Sequence, residues 1–218
     1  MMTSLRLATR ALLIGALLLT TQAVAEDYVA GKHYEIISPV EPIMDGTRSD
    51  GKIEVAEFFW YGCSHCYAVE PTVEKWVTAN KNTVAFIRLP AVLNRTWKVH
   101  ARAYYTAEAL GIVDQTHRPF FDAMHKSGKP LLTEDAIVDF YVGYGVEWEK
   151  VKSVFNSFSI DTKLKRNDHL AATYDINGVP AFVIDGRYWT DLRHAGSHEQ
   201  TLEIVSYLVA KAKQERGK

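Results

Sequence analysis

Hydrophobic residues along the chain follow two patterns, short runs typical of buried strands and longer stretches with helical spacing. The first short run, Lys52–Phe59, is rich in β-branched and aromatic residues and predicts a buried strand. Gly62 ends this strand, and a helix is predicted from Cys63 onward, with Pro71 near enough to its start to kink rather than abolish it. A second strand, Thr83–Leu89, completes a β-α-β order.

The middle of the chain, from about residue 96 to residue 174, keeps apolar residues at helical spacing throughout. Two short strands are predicted after it, Ala181–Ile184 and Arg187–Trp189, because Asp185-Gly186 between them is a strong hairpin signal. A last helix is predicted from the capping box Ser197–Gln200. These elements predict one α/β domain that is interrupted by a helical one.

The first 25 residues have the pattern of a bacterial secretory signal peptide. Arg6 and Arg10 give a positive start, Ala11–Leu19 is apolar, and Ala23-Val24-Ala25 supplies the small residues of a cleavage site. Nine apolar residues are too few to span a bilayer, which takes about 20. Cleavage after Ala25 is therefore predicted, and it leaves 218 − 25 = 193 residues.

Charge excludes some classes of partner. Without the two arginines of the signal peptide, 23 basic residues stand against 26 acidic ones, a formal charge of −3. This balance gives no indication of binding to nucleic acid or to an anionic membrane surface. A chain of this length can bury its core without covalent cross-links. We expect a monomer.

The chain has two cysteines, Cys63 and Cys66, and both lie in the stretch EFFWYGCSHCY. A disulfide between them closes a four-residue ring, which constrains the unfolded chain little, so stability is a poor reason for the pair. Chemistry is the better reason. The predicted helix places Cys63 at an N-terminus, where unpaired amides and the helix dipole stabilise a thiolate.

Other uses of two cysteines fit this sequence less well. A buried inert pair is one alternative, and half of a zinc site is another, but zinc usually takes four ligands and no second CxxC or HxxxH cluster exists. Covalent haem attachment would place histidine after Cys66, where Tyr67 stands. An exported protein meets an oxidising compartment, so we predict redox chemistry without a metal or other cofactor.

Three features together resemble the DsbA family of periplasmic thiol:disulfide oxidoreductases: the EFFWYGCSHCY motif, the segment Asn177–Phe182, and the helical block between them. The resemblance covers essentially the whole mature chain, including Gly31–Ile37 as an extra edge strand. It implies a thioredoxin-like α/β fold with an inserted all-helical domain. On this basis we expect the thioredoxin-like domain over residues 26–95 and 168–218, and the helical insertion over residues 96–167.

The resemblance also implies a function and partners. The Cys63-Cys66 disulfide would be donated to reduced, unfolded exported proteins in the periplasm, and a membrane quinone reductase of the DsbB type would reoxidise it. A disulfide isomerase or reductase is the alternative among enzymes, although the stretch Glu26–Gly51 is too short for the dimerisation domain that periplasmic ones usually carry. A peptide-binding or metallochaperone module on the same fold is the alternative outside enzymes.

Residues near the cysteines each have two interpretations. His65 is either a polar surface residue or, when protonated beside Cys63, a group that favours the thiolate. Ser64 and His65 stand where the family commonly has Pro-His, and these two positions tune the redox potential in the family. Pro180 is either a tolerated strand-start proline or, as in the family, part of a cis Val179-Pro180 bond that presents a backbone edge to substrate. Ser64 and Val179 are accordingly expected to contact substrate.

Glu57, six residues before Cys63, is the other unusual residue of the motif. An acid in a strand can simply point to solvent, and the alternation of side chains does not exclude this. The family instead places an acid behind the disulfide, where Glu57 would assist proton transfer at the buried Cys66.

Overall fold

The computed structural model describes residues 28–44 and 51–217. The predicted signal peptide, Met1–Ala25, lies outside the described residues. Within them, five strands form one mixed sheet in the order β1-β5-β4-β2-β3, with β2 and β3 parallel and the other neighbours antiparallel. The strands are β1 (Glu35–Ile36), β2 (Ile53–Phe59), β3 (Val84–Pro90), β4 (Ala181–Ile184) and β5 (Tyr188–Asp191).

Eight helices in the described ranges complete the fold. They are α1 (Ser64–Asn80), α2 (Arg95–Ala109), α3 (Val113–His125), α4 (Glu134–Val142), α5 (Trp148–Phe155), α6 (Phe158–Thr173), α7 (Leu192–Ala195) and α8 (His198–Arg216). The predicted fold class is confirmed, since β2-α1-β3 and β4-β5-α8 share one sheet and α2 to α6 lie between them in sequence. The domain limits remain a prediction, and the limit after residue 167 falls inside α6. None of these helices is both long and apolar enough to cross a membrane.

Side-chain alternation along β2 divides the core into layers. Ile53 and Val55 pack in one buried cluster with residues of α1 and α8. Ala56 and Phe58 point to the other face, where they pack in a cluster with residues of α6. Because Glu57 has the same parity as Ile53 and Val55, its side chain faces α1.

A third buried cluster joins the end of β2 to the helical block. Phe59, Tyr61 and Cys66 belong to it together with residues of α2 to α6. Its large members from the helices are aromatic or branched aliphatic side chains and include Tyr104, Tyr105, Phe120, Phe121, Ile137 and Tyr141. The second cysteine therefore lies where the sheet meets the helical block.

Local differences from the sequence prediction occur mainly after β4. The hairpin is present, and Asp185 and Gly186 have φ values of 58° and 63°, as a turn of this type requires. The prediction that β5 ends at Trp189 is wrong, because β5 continues to Asp191. Asp191 then caps the four-residue helix α7, which is too short to show helical periodicity.

Candidate active site

Cys63 is the N-cap residue of α1, with extended backbone angles of φ −84° and ψ 118°. Its Sγ accepts a hydrogen bond from the Cys66 backbone N–H at 3.3 Å, and as a thiol it donates to the Val179 carbonyl at 3.4 Å. Both cysteines are free, so the structure describes the dithiol form. The first thiol thus contacts both the helix N-terminus and the loop before β4.

The two thiols have opposite shifts in pKa. Hydrogen bonding from Cys66 lowers the pKa of Cys63 to about 6, against the effect of partial burial and with help from the His65 amide and the His65 charge. Cys66 is fully buried, and this burial, followed by the contact with Cys63, raises its pKa well above the usual range. At neutral pH the first sulfur is therefore mostly a thiolate and the second is a thiol.

The turn before Cys63 is held in place by aromatic packing. The Cys63 N–H donates to the Trp60 carbonyl at 2.9 Å, and the Trp60 indole stacks on Trp97 with ring centroids 4.6 Å apart. A Cβ at Gly62 would overlap the Trp60 ring, so only glycine allows the indole to lie against this turn. Trp60 Nε1 also donates to His100 Nδ1 at 2.9 Å.

His100 is held as a neutral ring by its contacts. Its Nδ1 accepts from Trp60, so the proton is on Nε2, which lies 3.2 Å from both the Pro130 and the Leu131 carbonyl oxygens. Burial lowers its pKa despite these two acceptors. The loop between α3 and α4 is thereby tied to the turn that carries Cys63.

The loop before β4 brings two further predicted residues to the thiol. The Val179-Pro180 peptide bond is cis, which confirms that expectation. Pro180 is buried and Val179 is half-buried, and the Val179 N–H makes no hydrogen bond to any residue that the structure describes. A free backbone donor thus lies in the residue whose carbonyl contacts Cys63.

The two residues between the cysteines are exposed. Ser64 is the first residue of α1, and His65 follows it on the surface. The His65 ring makes an edge contact with the ring of His198, with centroids 5.9 Å apart. His65 also lines a pocket of about 310 Å³ together with Val179 and Pro180.

Glu57 is fully buried, so the interpretation in which it points to solvent is wrong. Its neighbour on the parallel strand is Arg88, whose Nε lies 3.6 Å from Glu57 Oε2, and neither carboxylate oxygen accepts a hydrogen bond from the described residues. Burial, reinforced by the charge of Glu70 and opposed by that of Arg88, raises the pKa of Glu57 to about 8. Glu57 is thus mostly protonated at pH 7.

Comparisons with known proteins identify relatives of this chain. A family model described as a DSBA-like thioredoxin domain matches residues 86–202. The thiol:disulfide interchange protein DsbA of Pseudomonas aeruginosa is 43% identical over 202 residues, which cover 92% of this chain and 93% of that protein. The chain belongs to the DsbA family.

Other members of the DsbA family extend the comparison. The DsbA protein of Azotobacter vinelandii is 36% identical over 210 residues, with 92% of this chain and 96% of that one covered. The crystal structure of P. aeruginosa DsbA superposes with a TM-score of 0.82 at 41% identity and covers 89% of this chain and 99% of its own. This chain is accordingly a protein thiol:disulfide oxidoreductase that carries its redox pair as Cys63 and Cys66.

A group of buried polar residues adjoins Glu57 and was not predicted from the sequence. Glu70 of α1 is buried, and its Oε1 lies 2.5 Å from Arg88 Nη2 and 3.3 Å from His117 Nε2. His117 Nδ1 lies 2.9 Å from the Tyr61 hydroxyl. Because the Glu70 carboxylate lies beside Nε2, the proton of a neutral His117 is on Nε2, and Nδ1 accepts from the Tyr61 hydroxyl.

At neutral pH Glu70 is ionised, whereas Glu57 and His117 are neutral. Burial opposes ionisation of Glu70, but His117 and Arg88 outweigh it and lower the Glu70 pKa. Burial also lowers the pKa of His117, although Glu70 acts in the opposite direction. The ionised pair is therefore Glu70 and Arg88, and Glu57 holds a proton beside it.

Two signals in the sequence point to this group. Arg88 interrupts the apolar strand TVAFIRL, and a charge inside a buried strand needs a partner. Glu70 follows Cys66 by four residues and therefore lies on the same face of α1. His117 gives no such signal.

Within the described ranges, no group of three or more histidine, cysteine and acidic side chains is arranged to hold a metal ion.

Proposed function

We propose that this protein is a periplasmic dithiol oxidase that donates the Cys63-Cys66 disulfide to reduced, unfolded exported proteins. The observation that carries the proposal is the contrast between the two thiols, a half-buried Cys63 with a pKa of about 6 and a fully buried Cys66 with a raised pKa. A sulfur that is stable as a thiolate is a good leaving group and makes the reduced protein favourable. Such a protein oxidises other thiols.

The first step forms a mixed disulfide. A substrate thiolate attacks Cys63 Sγ of the oxidised protein, a bond forms between these two sulfurs, and the Cys63–Cys66 bond breaks. The electron pair of the broken bond leaves with Cys66. Because burial raises the Cys66 pKa, this sulfur takes up a proton and becomes a thiol.

The second step releases the product. A second thiolate of the substrate attacks the substrate sulfur of the mixed disulfide, and Cys63 leaves as a thiolate. The substrate has lost two electrons and gained a disulfide, and the protein has gained two electrons and one proton. Reoxidation then requires an electron acceptor, which we infer to be a membrane quinone reductase of the DsbB type.

Glu57 is the proposed proton source for Cys66. It is buried on the α1 face of the sheet, it carries a proton at neutral pH, and its charge when ionised raises the pKa of Cys66. Transfer of its proton to the leaving Cys66 sulfur moves the single negative charge from the buried thiolate to the Glu57 carboxylate, which lies 3.6 Å from Arg88 Nε. The protein needs no cofactor for this chemistry beyond the disulfide itself.

Substrate binding is assigned to the exposed backbone and side chains around Cys63. The free N–H of Val179 can donate to a carbonyl of an extended substrate segment that lies beside the thiol. Pro180 has no N–H, so the last backbone donor before β4 is that of Val179. Ser64 and His65 are exposed next to Cys63, and His65 lines one pocket with Val179 and Pro180.

Oxidised protein mixed with a reduced, unfolded two-cysteine polypeptide tests this proposal. We expect one substrate disulfide to form for each protein reduced, and a reduction potential more oxidising than about −180 mV against a glutathione buffer. A potential near about −270 mV would instead indicate a reductase. A binding or metallochaperone module would leave the substrate thiols unchanged.

A further inference from the structure

The pocket beside Val179 contains the charged side chain of Arg193, which the proposed disulfide exchange does not require. It has a volume of about 310 Å³ and lies between α1, the loop before β4 and the start of α7. Its lining residues are His65, Gly178, Val179, Pro180, Asp191, Leu192 and Arg193. Val179 connects this pocket directly to the reacting sulfur, since its carbonyl lies 3.4 Å from Cys63 Sγ.

Asp191 is the one carboxylate among these lining residues, and hydrogen-bond donors of Arg193 and His194 already compensate its negative charge. It is buried and accepts hydrogen bonds from the backbone N–H groups of Arg193 and His194 at 2.9 and 3.1 Å. It also accepts from His194 Nδ1 at 2.7 Å and from Arg193 Nε at 2.8 Å. Burial acts against its ionisation, but these donors hold the pKa of Asp191 below its usual range.

The Arg193 guanidinium donates a hydrogen bond to Asp191 through Nε, and its two terminal nitrogens are available to a ligand. Its side chain is 68% exposed although Asp191 fixes the guanidinium through Nε. Its two terminal nitrogens contact no acceptor within residues 28–44 and 51–217. A guanidinium that is fixed on one edge and free on the other has lost part of its conformational entropy already and presents its remaining N–H groups to a carboxylate.

We propose that Arg193 is a specificity-determining residue that favours substrates with an acidic side chain close to the reacting cysteine. This inference rests on the proposed function, because it concerns the polypeptide that reacts at Cys63. An extended substrate advances about 3.3 Å per residue, so residues a few positions from its cysteine reach along the pocket toward Arg193. An acidic side chain there gains an ion pair, and a lysine meets a like charge.

Solvent exposure limits the size of this preference. Exposed ion pairs contribute about 0.2–1 kcal/mol, which corresponds to at most about a fivefold change in rate. We expect a preference of about three- to fivefold for glutamate over glutamine at the best position. It should weaken in about 0.5 M salt, where the screening length is only a few ångströms.

A set of reduced two-cysteine peptides measures the preference. The peptides carry Glu, Gln or Lys at one position, two to four residues before or after the first cysteine. The rate of each with the oxidised protein is divided by its rate with a small aromatic disulfide, because a nearby acid also changes the reactivity of the peptide thiol. We expect Arg193→Met to bring the Glu to Gln ratio close to one, and Arg193→Lys to retain part of it.

The hairpin itself offers a matched control. Arg187 binds Asp185 through Nε at 3.1 Å, the same spacing of two residues and the same pair of atoms as Arg193 and Asp191, but at the opposite end of β4 and β5. Arg187→Met should leave the Glu to Gln ratio unchanged. The ratio is taken within each variant, so a loss of folded protein does not affect it.

Two negative results are distinguishable. Equal corrected rates for Glu and Gln peptides with the unmodified protein, at every position, would overturn the role of Arg193 while oxidation itself continues. The same conclusion follows if Arg193→Met keeps the full preference. Failure to oxidise any peptide would instead contradict the proposed function.

Discussion

Glu57 and Arg88 are direct neighbours across the parallel pair of β2 and β3, yet they are not hydrogen bonded. Arg88 Nε lies 3.6 Å from Glu57 Oε2, whereas Arg88 Nη2 lies 2.5 Å from Glu70 Oε1. One cation therefore stands between two buried carboxyl groups and compensates mainly the one on α1. The other, Glu57, is left with a pKa of about 8.

Glu57→Gln should make the protein more stable, and increasingly so as the pH rises. An acid whose pKa is raised from about 4.3 when unfolded to about 8 when folded costs stability progressively as pH rises between these values. Glutamine has the same shape and does not ionise. Between pH 5 and pH 8 we expect the variant to gain roughly 2–3 kcal/mol on the unmodified protein, measured by urea unfolding of the oxidised forms.

Glu74→Gln is the control for this series. Glu74 lies on the exposed face of α1, so its replacement should leave the pH dependence of unfolding as it is. Parallel stability curves for Glu57→Gln and the unmodified protein would mean that the buried carboxyl group titrates normally.

Arg88→Met should destabilise the protein strongly, because it leaves the Glu70 carboxylate buried without its cation. Removal of one partner of a buried ion pair typically costs about 3–5 kcal/mol. The double variant Arg88→Met/Glu70→Gln should recover most of this loss, since it removes both charges. Urea unfolding of the two single variants and the double variant gives the interaction energy, and additive losses would show that Arg88 acts mainly through packing.

The fold was largely predictable because its elements carry strong periodic signals. Lys52–Phe59 begins one residue before the observed strand, Thr83–Leu89 is displaced from it by one residue at both ends, and the Asp185-Gly186 turn forms as its sequence indicates. β5 was placed too short because Thr190 and Asp191 are polar. Both are buried in the structure, where Thr190 Oγ1 donates to the His33 carbonyl at 2.8 Å and Asp191 caps α7.

The candidate site was predictable only in part, for a physical reason. The CxxC spacing identifies Cys63 and Cys66 as a candidate redox pair, and the local spacing of hydrophobic residues predicts the helix N-terminus. Glu57, Glu70 and His117 meet only after β2, α1 and α3 have packed, so their contacts depend on tertiary structure. Side-chain alternation alone left the direction of Glu57 open, and the packing of α1 on the sheet decides it.

Cys66→Ser should accumulate mixed disulfides with exported proteins, formed when its Cys63 thiolate attacks cysteines that the host has already oxidised, and Cys63→Ser should accumulate none. The first variant keeps a partly accessible thiolate, whereas the second keeps only a thiol that is fully buried and has a raised pKa. Non-reducing gels of each variant, expressed in a host that exports it, count these complexes. The variant with both serines is the control, and equal amounts from the two single variants would mean that Cys63 is not the reacting sulfur.

The reduced form should gain stability relative to the oxidised form as the pH rises. Only the reduced form has thiols that titrate, so the difference between the two forms reports on Cys63 while other groups largely cancel. The Cys63 pKa is depressed from about 8.5 in the unfolded chain to about 6, so its contribution to stability is full above the first value and lost as pH falls through the second.

Closure of the four-residue ring favours the oxidised form by at most about 2 kcal/mol at every pH. With allowance for solvent screening of a partly exposed sulfur, we expect the reduced form to gain about 2 kcal/mol between pH 5 and pH 8, or about 4–8 °C in melting temperature. Thermal melts of both forms at these two pH values measure it, and Cys63→Ser should lack the gain. A difference that does not change with pH would mean that the helix N-terminus does not stabilise the thiolate, and would favour a reductase over an oxidase.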